Sequence, residues 1–236
     1  MKKTFKYVLL TLFAAFASCN SSDDSPANND GSGNGNPIPT NSSYWPFAVG
    51  NKWTYSNVDD AEDKMVADLY QTIVFEGKTY FQFKPLNAPE DFELNGGTRE
   101  DDGVFYELHG ASSQMGVNIA AGTIKSIDTK ANVGEQWTDQ VTLNVSGATY
   151  GTVKHTNKGK IIGKLASINV NGQNYQDVLK TEVIKTVDNS LTGTTLIVKN
   201  EDWLAKSLGP IYRKTTYYYG SNEEVVQYYL TSYVVN

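Results

Sequence analysis

Asn171-Gly172 stands between two runs rich in apolar and β-branched residues, Lys160 to Val170 and Tyr175 to Val187. Asn-Gly is the dipeptide most favoured in a tight primed turn, whose two central residues both need positive φ. The chain is therefore constrained to double back at that point into a hairpin. A second hairpin is predicted where Leu69 to Phe75 and Thr79 to Phe83 flank Glu76-Gly77-Lys78. Val104 to Leu108, Val141 to Val145, Thr194 to Lys199, Ile211 to Tyr219 and Val225 to Val234 read as further strands. Fifteen tyrosines and nine phenylalanines suit a pleated, half-buried surface, and Tyr80-Phe81-Gln82-Phe83 alternates as a strand does. No run carries the apolar periodicity of a four-turn helix; Asp202 to Leu208 makes two helical turns at most. The expectation is an all-β, mostly antiparallel single domain of about ten strands. It takes the form of a curved sheet, half-barrel, sandwich or open barrel.

One short pattern occurs twice. Val49-Gly50-Asn51-Lys52-Trp53-Thr54 is echoed by Val133-Gly134-Glu135-Gln136-Trp137-Thr138. Each glycine permits a sharp turn, and each tryptophan lies just inside the next strand, placed to fill the core. Duplication of a half-domain and convergence on a strand-entry device both produce this. The flanking segments do not align, which favours convergence.

Ahead of the β region the composition changes twice. Lys2, Lys3 and Lys6 precede the apolar run Tyr7 to Ala17, and Phe16-Ala17-Ser18 places small residues before Cys19, the only cysteine. That order is a secretory signal with a small-residue cleavage site, too short for a membrane span and ending in polar Asn20-Ser21-Ser22. With cysteine just after the cut, the segment resembles the lipobox of bacterial lipoproteins. The resemblance implies removal of residues 1–18 and acylation of Cys19. One acyl chain gives only marginal membrane affinity, whereas two or three make a lasting anchor.

Residues 19–43 are the lipidated cysteine and a tether of Ser, Asn, Asp, Gly and Pro, including Gly31-Ser32-Gly33-Asn34-Gly35-Asn36. Such a composition buries too little apolar surface to offset the entropy of ordering. As a random coil it spans about 25–30 Å. Ser21-Ser22-Asp23-Asp24 resembles the acidic signal that exports Bacteroidetes lipoproteins to the outer face of the outer membrane; an acidic, soluble linker explains the same residues equally well. The expected location is thus the cell outer membrane, with the face left open.

Residues 44–236 form the β domain. Without Lys2, Lys3 and Lys6, 17 basic residues stand against 26 acidic ones, a net charge of −9. Such a chain lacks the basic face that nucleic acid requires. With Cys19 acylated, neither a disulfide nor a thiolate ligand remains.

Three motifs in this domain carry a family resemblance. Tyr44-Trp45-Pro46-Phe47-Ala48-Val49-Gly50-Asn51-Lys52-Trp53-Thr54-Tyr55 resembles the opening of a broad set of uncharacterised bacterial lipoproteins of the Bacteroidetes type. Val170-Asn171-Gly172-Gln173-Asn174-Tyr175-Gln176-Asp177-Val178-Leu179-Lys180 is similar to their hairpin. Trp203-Leu204-Ala205-Lys206-Ser207-Leu208-Gly209-Pro210-Ile211 is similar to their late Trp-x-Ala-x-x-hydrophobic-Gly segment, with Pro210 departing from the pattern at a position where it threatens the strand entry. The resemblance implies a mostly antiparallel β domain like a periplasmic half-barrel carrier. It brings no reaction and no functional residue with it.

Chemistry-bearing motifs are few. His109 and His155 are far apart in the chain and neither has a metal-ligand pair beside it, which argues against a zinc site. No Gly-x-Ser-x-Gly elbow or phosphate-cradling glycine loop occurs. Asp59-Asp60-Ala61-Glu62-Asp63 is the densest acidic cluster; hard oxygens so close suit calcium, but a solvated turn accounts for them more simply. Glu100-Asp101-Asp102-Gly103 reads as ordinary turn chemistry. The expectation is a non-enzymatic protein without cofactor or metal, held to a membrane by its lipid; a hydrolase acting through a pair of carboxylates is the lesser alternative, and sequence does not give their separation. Its partner would be an envelope protein, a glycan or a lipid. Binding candidates are the tyrosines of the last two strands, Tyr217, Tyr218, Tyr219, Tyr228 and Tyr229. Tyrosine covering a core with its hydroxyl in water is the simpler account of them.

Overall fold

The computed structural model describes residues 43–84 and 95–236. Cys19, the signal segment and the tether up to residue 42 lie outside the described residues.

Fourteen strands occur among the described residues, and no helix. They are β1 (Lys52–Asn57), β2 (Lys64–Phe75), β3 (Lys78–Phe83), β4 (Gly97–Asp101), β5 (Val104–His109), β6 (Ser112–Gln114) and β7 (Val117–Ile119). The second half adds β8 (Gly122–Asp128), β9 (Gln136–Gly147), β10 (Gly151–Val170), β11 (Gln173–Asn189), β12 (Thr194–Ala205), β13 (Gly209–Tyr219) and β14 (Asn222–Val234). All belong to one antiparallel sheet in the order β6-β7-β9-β10-β11-β12-β13-β14-β1-β2-β3-β4-β5-β8. The sheet is curved but does not close into a barrel, which decides among the expected all-β forms.

Both expected hairpins form. Asn171 and Gly172 take φ of 49° and 83°, the pair of positive values that a type I′ turn demands. The same geometry recurs at Glu76-Gly77 and at Asp102-Gly103. Three expectations need correction. The described strands number fourteen rather than about ten, because β4, β6, β7 and β8 carry little sequence signal: β6 and β7 have three residues each, and glycine and polar residues interrupt the apolar alternation in Gly97–Asp101 and Gly122–Asp128. Asp202 to Leu208 is not helical. Asp202 to Ala205 pair with Val178 to Thr181 of β11, where Leu204 is fully buried, and the chain turns only afterwards. Pro210 does not break strand entry. A bulge between Trp203 and Leu204 pairs Leu204 with Pro210 at the very start of β13, a position where a missing N–H is tolerated.

The repeated pattern is a shared entry device. Gly50 N donates to Leu69 O at 2.7 Å and Gly134 N to Ile161 O at 2.8 Å, each tying the turn to a neighbouring strand. Asn51 N donates to Ala48 O and Glu135 N to Asn132 O, closing the same turn. Trp53 and Trp137 then enter the core, at 0% and 8% exposure.

The opening and late motifs meet in space. Trp45 and Phe47 insert among Phe81 and Phe83 of β3 and Phe105 of β5, with ring centroids 5.4–6.4 Å apart. Trp53 Nε1 donates to Leu208 O at 2.6 Å. Gly209 packs under both indoles; a Cβ there would lie 3.0 Å from Trp45 Cδ1 and 3.1 Å from Trp53 Nε1, at φ +112°. The Trp-Pro-Phe segment therefore fills the concavity, each buried indole contributing about 4–6 kcal/mol of transfer free energy before entropy.

Candidate functional site

Curvature brings one end of the sheet over its own inner face. Strand β8 ends the ladder order, so among the described residues one side of its backbone has no strand partner. Side chains from β9 and β10 supply the missing bonds. Lys125 N donates to Asp139 Oδ2 at 2.7 Å, Asn157 Nδ2 donates to Lys125 O at 3.0 Å, and Trp137 Nε1 donates to Ser126 O at 3.3 Å. Trp137 lies flat over its cross-strand neighbour Gly159, which leaves room for the ring. Covering an edge in this way protects it from unwanted strand pairing.

Beside this closure lies a polar cluster shared by β5, β8, β10 and β11. Lys185 Nζ donates to Glu107 Oε1 at 2.6 Å, and Ser126 Oγ donates to the same oxygen at 2.7 Å. The imidazoles of His109 and His155 stack with centroids 3.9 Å apart and planes 27° from parallel. Although the two histidines are far apart in the chain and were expected to be unrelated, the curl of the sheet joins them. Burial alone would raise the Glu107 carboxyl, but the Lys185 ammonium, His109 and the Ser126 hydroxyl override it and hold the group down at about 2. Burial lowers His109, and burial together with His109 lowers His155 to about 4. Both rings are therefore neutral near pH 7.

Deeper in the same face, Arg213 Nε donates to Asp202 Oδ1 at 2.9 Å, and the guanidinium lies 5.4 Å from the Trp45 ring. Lys185–Glu107 and Arg213–Asp202 each match opposite charges across strands inside the curl.

The five candidate tyrosines divide between the two faces of the sheet. Tyr217 and Tyr219 share the inner face of Arg213, and Tyr228 joins them by pairing opposite Arg213. Tyr228 is in the core, its hydroxyl donating to Asp63 Oδ2 at 2.9 Å. Tyr217 and Tyr219 have near-parallel rings 6.3 Å apart, and Tyr219 is 45% exposed. Tyr218 and Tyr229 point to the outer face. There Tyr229 lines up in one register row with Tyr212, Trp203 and Lys180. Trp203 and Tyr212 lie 4.5 Å apart, and Lys180 Nζ sits 3.6 Å from the centre of the indole. This row has no signature in the sequence, because only the register across β11 to β14 aligns residues so far apart in the chain.

In the acidic loop, Asp63 accepts from Asn57 Nδ2 at 2.9 Å and from the Tyr228 hydroxyl, while Asp60 caps its own turn through Glu62 N. Among the described residues no three His, Cys, Asp or Glu side chains converge as a metal site. A shallow cleft of about 360 Å³ is lined by Ile73, Phe75, Asn95, Leu108, Gly110, Ala111 and Ala121.

No family of known proteins matches this sequence, and no curated protein matches it either. Two solved structures are similar in shape. A protein of Parabacteroides distasonis described as a lipoprotein is 12% identical, with TM-score 0.47, over 82% of this chain and 99% of its own. A protein of Bacteroides fragilis, described as exported and as having a YmcC-like fold, is 13% identical, with TM-score 0.43, over 80% and 98%. These values are too low to carry anything further to this chain.

Proposed function

We propose that this chain is a non-catalytic lipoprotein of the bacterial outer membrane, anchored through acylated Cys19, whose β domain is a binding body for another envelope component. The anchor rests on the order of charged start, apolar run, small residues and cysteine in residues 1–19. The binding role rests on the outer-face row of Trp203, Tyr212 and Tyr229, whose half-buried rings lie across three neighbouring strands. Aromatic rings of this kind, apolar in body and polar at the tip, are enriched where proteins meet partners. The partner is an envelope protein in this reading. The paired charges inside the curl fit a structural interior better than a catalytic one.

A glycan ligand is the second reading, and the near-parallel pair Tyr217 and Tyr219 favours it, since successive rings along one strand offer a platform for sugar rings. Two measurements separate these. Palmitate labelling of the expressing cells tests the anchor, with incorporation expected in wild type and lost in Cys19→Ala; equal labelling defeats it. Cross-linking of envelope proteins to the full chain, lost in Trp203→Ala/Tyr229→Ala, supports the partner reading. Glycan-array binding lost on Tyr219→Ala, with cross-linking unchanged by the outer-face variant, replaces it.

A further inference from the structure

The stacked histidines sit where the sheet closes on itself. His109 is the last residue of β5, the strand that pairs with edge strand β8. His155 lies on β10, which belongs to the opposite wall. Side chains bridge these walls at several points among the described residues. Lys185 to Glu107 ties β11 to β5; Asp139, Trp137 and Asn157 tie β9 and β10 to β8. Backbone bonds hold the crossing between the walls, with β7 laddered to β9 and Ala120 N donating to Asn144 O at 2.9 Å, and Phe105 and Ile127 share the core with Trp137 and Ile161. Only the part of β8 around Lys125 and Ser126, held to β9 and β10 by side chains, separates without breaking the sheet.

We propose that the His109–His155 stack is an acid-sensitive clasp, which loosens the middle of edge strand β8 from β9 and β10 when the imidazoles take up protons. The charged groups facing the pair define the response. On β5, Glu107 attracts a proton to the rings. On β11, Lys185 opposes one, and Lys185 is already committed to Glu107 at 2.6 Å. On β8 and β9, Lys125 and Asp139 meet through the Lys125 backbone. On β10, Asn157 stands next to His155 on the same face and contributes hydrogen bonds but no charge. A proton on one ring is placed in a buried site beside an ammonium, and a second proton would face the first across the 3.9 Å stack. Release restores water to both rings and removes the repulsion. The open form therefore binds protons more tightly than the closed form, and acid favours it. If His155 returns from about 4 to its ordinary 6.5 on opening, the open-to-closed ratio at pH 5 rises about 30-fold above its value at pH 8.

Amide hydrogen exchange on the full chain reads this directly. Lys125 N–H, protected by Asp139, reports the clasp, and the amides of β12 and β13 report unfolding of the body. After correction for intrinsic rates, Lys125 opening is expected to increase about 30-fold from pH 8 to pH 5 with β12 and β13 unchanged. In His109→Phe/His155→Phe, which keeps two stacked rings but cannot take protons, the increase should vanish. If that variant does not fold, His155→Gln serves, and the increase should fall to a few-fold. A pH-independent wild type overturns the proposal, as does an equal rise in the variant. A rise shared by β12 and β13 does so too, because it reports global unfolding.

Discussion

Replacing Asp202 with alanine isolates the energetics of charge inside the curl. The Arg213–Asp202 pair has side chains only 13% and 8% exposed, with a second contact of 3.5 Å from a terminal guanidinium nitrogen to Oδ2. Arginine cannot shed its proton, and the aspartate raises its pKa further. Asp202→Ala thus leaves a guanidinium under Trp45 without its carboxylate. Removing one member of such a buried pair costs about 3–5 kcal/mol. Against the 5–15 kcal/mol that hold an ordinary domain together, that is a large fraction. With a urea m-value of about 2–3 kcal/mol/M, the unfolding midpoint should fall by about 1–2 M. The double variant Asp202→Leu/Arg213→Met replaces both charges with apolar groups and should recover most of the loss, since a matched pair and a hydrophobic filling are often equivalent. Equilibrium urea unfolding followed by tryptophan fluorescence measures all three proteins. A single variant within 1 kcal/mol of wild type, or a double variant as weak as the single, would refute the reasoning.

Three further outcomes are expected. Because the fold holds the Glu107 carboxyl at about 2 against 4.5 ordinarily, it contributes about 3 kcal/mol that is present above pH 4.5 and lost as pH falls toward 2; unfolding free energies across that window should flatten in Glu107→Gln, and parallel curves for the two proteins would contradict this. Gly159→Ala sets a Cβ 2.2 Å from Trp137 Cζ2, so the ring must leave its neighbour. A loss of about 1–3 kcal/mol in stability with altered Trp137 emission should follow, and an unchanged melting temperature would show that the ring moves freely. Gly209→Ala meets both positive φ and the two indoles, and should cost about 1–3 kcal/mol while weakening the near-ultraviolet dichroism of Trp45 and Trp53; unaltered dichroism would mean the motifs are not locked together there.

The sequence by itself determined the strand class, the hairpins and the tryptophan entry turns. Asn171-Gly172 must turn whatever surrounds it, because positive φ at two consecutive residues is a local steric matter. Alternation also separates Tyr218 from Tyr217 and Tyr219 without any knowledge of neighbours. Tertiary structure alone decided which residues from different strands share a place. Tyr229 joins Trp203 only through the register of β12, β13 and β14, and a shift of one residue would have sent it to the other face. His109 and His155 meet because the whole sheet bends, a sum of small twists and bulges over many strands. No short stretch of sequence encodes that sum, so the interior cluster became visible only when the two walls were brought together.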